Sequence, residues 1–483
     1  MDLDRAAPLA FASLIAVIQP CAALASEARL EPAEIRYLGR FKLPAPSGTA
    51  PSETWSWGVR GLTLVPDCLG ERDPSPDDGY PGCAGAFGHD HAGLFGVFDL
   101  VPPSRRPPGN RARQVVPFYS IGETLPAKAV RQLGQARYWD VLYDRGPEHC
   151  RLWWSFGSWF IEIADDPPFL GVSSCDPKRP EPRGLWGFGK RKGRIETDPF
   201  HSAKFYRLLS RVPRDLAEAE FGGSEMMLGG TYDGGTRGGS QGPSAYVRPL
   251  RVPERDPEQD LVALLWYRHT AYVKWYDKPE MSGGAMRHWT GAETHGVEWV
   301  SSSAGRAAAV MWETPTVNPE DYPCSDSTAY RDNDPTTPEP CKVPVCWYGL
   351  MRCEEGKGHA EFQQPSFWED TSTGKPMPKD CRLQTGGDFT GPHCLSKRPF
   401  ILLYDISELA AVYRGEKEHN EPQPYAAVPL EAYFRSSSAM GTTYDAEAQR
   451  LYLSEGGDHP IVHVFAIGGE EPSAASRSGT AER

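Results

Sequence analysis

Side chains able to grip or protonate a polar ligand stand at four of the heads of five short apolar runs in this chain. Arg60-Gly61 precedes LTLVPD, Gln241-Gly242 precedes PSAYV, His295-Gly296 precedes VEWV, and Met440-Gly441 precedes TTYD. Arg137 precedes YWDVLYD without the glycine, and Trp57, Asp140, Arg237, Ser240, Glu293 and Glu298 lie nearby. A guanidinium forks onto carboxylates, and an imidazole exchanges protons near neutral pH. Two carboxylates flanking a glycosidic bond can serve as acid and base or nucleophile. If the five heads converge, they form one opening suited to an anionic or polyhydroxylated ligand. The candidate ligand-binding residues are therefore Arg60, Arg137, Arg237, Ser240, Gln241 and His295. The candidate catalytic residues are Asp140, Glu293, Glu298 and His295. The plainer alternative is that these groups satisfy one another and the backbone, since carboxylates at strand starts are ordinary turn residues.

Four further patterns carry less. Gly238–Gly242 matches G-x-S-x-G around Ser240, but a nucleophile elbow needs a strand before and a helix after, and here a glycine loop leads into PSAYV. His89-Asp90-His91 puts two imidazoles on one strand face, a weak metal candidate without a third ligand. Asp332-Asn333-Asp334 is a weak calcium candidate, lacking the glycine and terminal Glu of an EF-hand. No cofactor is identified, and calcium is kept as the alternative expectation. Trp153, Trp154, Phe156, Trp159 and Phe160 could stack on a sugar, but large aromatics more often fill β cores.

The elements that must position these residues are strands. Each head is followed by further strand-like runs, about four to a unit, which is how a β-propeller reads in sequence. The expected fold is all-β, a five-bladed propeller, with six or seven blades as alternatives. Blades start near Gly61, Tyr138, Gly242, Gly296 and Gly441. The last unit is one strand short, and Ile35–Pro44 can supply it and close the ring. Residues 26–467 form this single domain, with insertions at about 165–200 and 314–398. RDLAEAE and ISELAAVYRG read as short helices, and residues 468–483 as a disordered tail.

Composition bounds the class. The chain has 483 residues, with 49 Gly, 46 Pro and 14 Trp, as expected of turn-rich β structure. A net charge of −13 argues against a nucleic-acid partner. Residues 1–25 read as a secretory signal: Arg5, an apolar stretch broken by Pro20, then the small-x-small site Ala23-Leu24-Ala25. An uncleaved anchor is the second reading, and no membrane span is expected after removal. Ten of the 11 cysteines follow Cys21, an even number that suggests disulfides in an exported, periplasmic or extracellular protein. Cys68 with Cys83 and Cys150 with Cys175 are the expected local pairs. Cys324, Cys341, Cys346, Cys353, Cys381 and Cys394 crowd the second insertion, and their pairing stays open. No CxxC occurs, so zinc is the lesser reading.

YLGRFKLP, GGSQGPSAYV, FILLYDISELAAVYRGE with PQPYAAVPL, and YDAEAQRLYLSEGGDHPIVHVFAI together give the chain a resemblance. It resembles uncharacterised secreted bacterial β-propeller proteins along its full length. That resemblance implies architecture and no activity, and the Cys-rich insertion departs from it. Five-bladed propellers also include arabinanases and levansucrase-like enzymes, which use carboxylates from different blades. Arg60 stands where those enzymes resemble one another in presenting an Asp. Three functions follow as expectations. The first is a module binding a carbohydrate or other polar ligand at the channel mouth. The second is a glycan hydrolase or lyase. The third is a structural or interaction protein meeting a protein partner through the Cys-rich insertion.

Overall fold

The computed structural model describes residues 28–468 except 46–52, 57, 90–92, 107–108, 122–135, 147, 159–168, 188–198, 201–207, 231–242, 255–259, 268–292, 317–368, 371–374, 377–395, 435–438 and 457–459. Twenty strands form five antiparallel four-stranded sheets. Blade one holds β2 (Arg60–Val65), β3 (Cys83–Phe87), β4 (Leu94–Asp99) and β5 (Gln114–Ser120). Blade two holds β6 (Ala136–Gly146), β7 (His149–Ser158), β8 (Phe169–Ser174) and β9 (Pro182–Gly187). Blade three holds β10 (Leu208–Arg211), β11 (Met226–Gly229), β12 (Ala245–Arg248) and β13 (Val262–Leu265). Blade four holds β14 (Glu293–Ser301), β15 (Arg306–Thr316), β16 (Ser396–Tyr404) and β17 (Ala426–Pro429). Blade five holds β18 (Ala439–Asp445), β19 (Arg450–Glu455), β20 (Ile461–Ile467) and, from the other end of the chain, β1 (Ile35–Lys42).

The innermost strands pack in a closed cycle: β2 on β6, β6 on β10, β10 on β14, β14 on β18, and β18 back on β2. β1 pairs with β20 from Ile35↔Ile467 to Lys42↔Ile461. The N-terminal strand thus completes the last blade, as the missing strand there requires. Strand alternation sends apolar side chains to both faces of each sheet. Five clusters of buried residues result, one in each seam between adjacent blades. Trp154 fills the seam of blades one and two, and Trp153 that of blades two and three, so these aromatics pack the core and form no sugar platform. Trp159 and Phe160 lie outside the described residues.

Two expectations about blade limits need correction. The innermost strand of blade three is Leu208–Arg211, and the run after Gly242 is its third strand. All four residues of β12 are buried, so in sequence it looks as apolar as an inner strand. The stretch near 165–200 carries β8 and β9, the two outer strands of blade two. Their Gly and Pro residues, in FLGVSS and PRGLWG, hide the strand signal. The larger insertion enters between β15 and β16 of blade four, and its six cysteines lie outside the described residues. Cys68–Cys83 and Cys150–Cys175 are disulfides, each within one blade. Two helices, α1 (Arg214–Glu220) and α2 (Ile406–Tyr413), follow β10 and β16. No helix among the described residues is long and apolar enough to cross a membrane.

Candidate functional site

Three of the four x-Gly glycines are seam residues, and the fourth, Gly242, lies outside the described residues. A Cβ on Gly61 would lie 2.5 Å from the Val141 nitrogen of blade two. One on Gly441 would lie 2.8 Å from the Leu62 nitrogen of blade one. One on Gly296 would lie 2.0 Å from the Thr442 hydroxyl of blade five. Real Cβ atoms do not approach so closely, so the inner strands can touch only where glycine stands. At these three heads the repeat is therefore a packing signature, which fixes the glycine and leaves the residue before it free of that contact.

Arg60 is where that freedom has been used. It is only 7% exposed, and its guanidinium carbon lies 4.7 Å from the centroid of the Trp139 ring of blade two. Left-handed residues flank it on both sides: Val59 at φ 66° and Gly61 at φ 67°. Glycine adopts this region freely, but a β-branched valine does so at a cost of about 1–3 kcal/mol. The strained turn is held from blade five, where the Ser454 hydroxyl donates to the Val59 carbonyl at 2.9 Å. Val59 itself is fully buried. His295 heads the inner strand of blade four and is 8% exposed. Beside it, Thr294 is fully buried and its hydroxyl has no hydrogen-bond partner among the described residues.

The carboxylates serve differently. Asp140 accepts from the Leu209 amide of blade three at 2.7 Å and from the Val141 amide at 2.8 Å. It replaces a main-chain bond between two inner strands. Glu298 accepts from the Thr442 hydroxyl of blade five at 3.1 Å. Thr63 does the same work between blades one and two, accepting from the Tyr143 amide at 3.1 Å. Burial pushes the Asp140 carboxyl well above the usual range, against the pull of its two amides. Burial likewise pushes Glu298 well up, and the charge of Asp140 adds to it. Both carboxyls therefore bind a proton more tightly than an exposed carboxylate, with burial the main cause in each.

Of the remaining candidates, Arg137 and Glu293 lie on β6 and β14, with side chains outside the described residues. Met440 lies on β18 and is half-buried, and so is His89 beyond β3. Arg237, Ser240, Gln241, His91, Asp332 and Asp334 lie outside the described residues. Among the described residues no group of three His, Cys, Asp or Glu side chains is placed to hold a metal ion. A buried polar chain in blade five escaped the sequence reading. Glu455 bonds His463 at 2.8 Å, and His463 bonds the Tyr37 hydroxyl of β1 at 3.1 Å. The signal was a Glu and a His, each inside a run that otherwise reads as core strand.

A comparison with protein-family models gives no match, and neither does one with the curated proteins. The chain is similar to a solved structure described as "Structure of Dos1 propeller", at 8% identity over 85% of this chain and 67% of that one, with a TM-score of 0.26. The five blades described above follow from strand pairing and stand without that likeness.

Proposed function

We propose that this protein is an exported binding propeller that takes a small polar ligand, a carbohydrate first among them, where Arg60 and His295 stand at the inner-strand heads. The strained turn that presents Arg60 carries the reading. Strain of this kind persists only where the surrounding structure enforces it, and it concentrates at ligand sites. Here Gly61, Ser454 and Trp139, from three blades, fix one guanidinium at the axis. Export is supported by the signal-like residues 1–25 and by the two disulfides.

Asp140 and Glu298 support binding over cleavage, because both are tied into seams. One observation favours a glycan-cleaving alternative: a buried carboxyl with raised proton affinity, as at Asp140 and Glu298, is also what a general acid requires. Protein starting at Ser26, with its disulfides formed, should be titrated with neutral oligosaccharides while melting temperature and new reducing or unsaturated ends are followed. A stabilising sugar without new ends, weakened in Arg60→Gln, is the expected result. New ends abolished by Glu298→Gln would replace binding with hydrolysis or elimination. No shift with any sugar would overturn both readings.

A further inference from the structure

The seam that closes the ring carries a charge pattern opposite to that of the whole chain. The chain has 64 Asp and Glu against 51 Lys and Arg, yet neither 35–44 nor 100–117 contains an acidic residue. These two segments meet. The outer edge of β1 pairs with the β4–β5 connection: Arg40 and Ser104 exchange two backbone bonds, at 3.1 and 2.9 Å, and Lys42 bonds Asn110 and Ala112, each at 2.8 Å. Phe41 and Ala112 both point into the core between blades five and one. Arg40 and Lys42 on one segment, and Arg111 and Arg113 on the other, alternate with them and so project from the opposite face.

Arg111 and Arg113 are exposed, and Arg40 and Lys42 half-exposed. None of the four is in a salt bridge among the described residues. Arg111 donates to the Leu43 carbonyl at 2.9 Å, which fixes its guanidinium against the strand. Two neighbouring carboxylates are buried: Glu455 bonds His463, and Asp99 accepts from the Arg113 backbone amide and also feels the Arg113 charge. Arg105 and Arg106, both exposed, extend the run at the β4–β5 turn.

We infer that this rim is a second binding surface, separate from the axial mouth, and that it takes an extended acidic polysaccharide of the polyuronate kind. The cations are strung along a paired strand edge, with neighbours two residues apart at about 7 Å, so they match a line of carboxylates better than a single anion. Arginine pairs planar carboxylates through two parallel bonds. A duplex nucleic acid carries about one charge per 1.7 Å, so the surplus of acids elsewhere repels it more strongly than a sparser polyuronate.

The test is binding of the disulfide-bonded protein from Ser26 to immobilised alginate, with dextran, duplex DNA and phosphatidylglycerol vesicles in parallel, across a salt series. The surface predicts alginate binding that weakens as salt rises, no dextran binding, and weaker binding to DNA and vesicles. Arg111→Glu with Arg113→Glu should reduce alginate affinity by about tenfold or more, with cooperative unfolding retained. Arg60→Gln should leave it intact, which separates this surface from the axial site. Alginate binding equal in the double variant, or absent from the wild type, would overturn the inference. Equal or tighter binding of DNA or vesicles would overturn the assigned partner.

Discussion

The seam between blades five and one and the seam between blades two and three solve one problem in two ways. At the first, Gly441 lets β18 lie against the Leu62 backbone, the Ser454 hydroxyl donates to the Val59 carbonyl, and the Arg450 guanidinium donates to the Gly79 carbonyl at 2.7 Å. At the second, β6 carries Tyr138 where the repeat would put glycine, and the Asp140 carboxyl spans the gap to the Leu209 amide. Asp144 adds a charged link there, 3.4 Å from Arg211. Where backbones can touch, the ring needs shape. Where they cannot, it needs an acceptor, and an acceptor that titrates makes that seam sensitive to pH.

The largest break in this contrast should come from Gly61→Ala. The new methyl meets the Val141 backbone, and φ 67° disfavours any side chain. A loss of about 4 kcal/mol in urea unfolding is expected. Removing either disulfide, with both cysteines changed to serine, should cost about 3 kcal/mol. Neither bridge crosses a seam, so the two losses should be alike, and unequal losses would show that the blades differ in their own stability.

Asp140→Ala leaves the Leu209 amide without its acceptor and should cost about 2 kcal/mol, while Asp140→Asn, which keeps an acceptor, should cost less. Thr63→Val makes the matching test at the seam of blades one and two, where the Tyr143 amide loses its acceptor, again by denaturant midpoint. About 1 kcal/mol is expected there, because the hydroxyl is the weaker acceptor.

How much of this could be read from sequence follows the same division. Gly61, Gly296 and Gly441 announced their blades because close backbone contact leaves no other choice of residue. The inner strand of blade three has no such glycine, and LLSR is short, so the wholly buried β12 was mistaken for it. Closure by β1 was legible because the final unit lacked a strand. Asp140 and Glu298 were legible as axial carboxylates but not as seam acceptors, since that role depends on amides far away in sequence. The strain at Val59 had no sequence signal, because valine is an ordinary strand residue and only the turn geometry makes it exceptional.

The central claim is that the axial carboxyls are seam elements whose proton affinity rises on folding. Both bind a proton more tightly in the folded chain than in the unfolded one. Below their ordinary values, 3.8 for Asp140 and 4.5 for Glu298, the proton is bound in both states. Above them the unfolded chain ionises first, so stability is lost as pH rises toward the raised folded values. The direct measurement is melting temperature against pH, from about pH 4 to 8, for the wild type and for Asp140→Asn with Glu298→Gln. A wild-type decline that flattens in the double variant is predicted. Parallel profiles would contradict the account, because the two carboxyls would then titrate alike folded and unfolded.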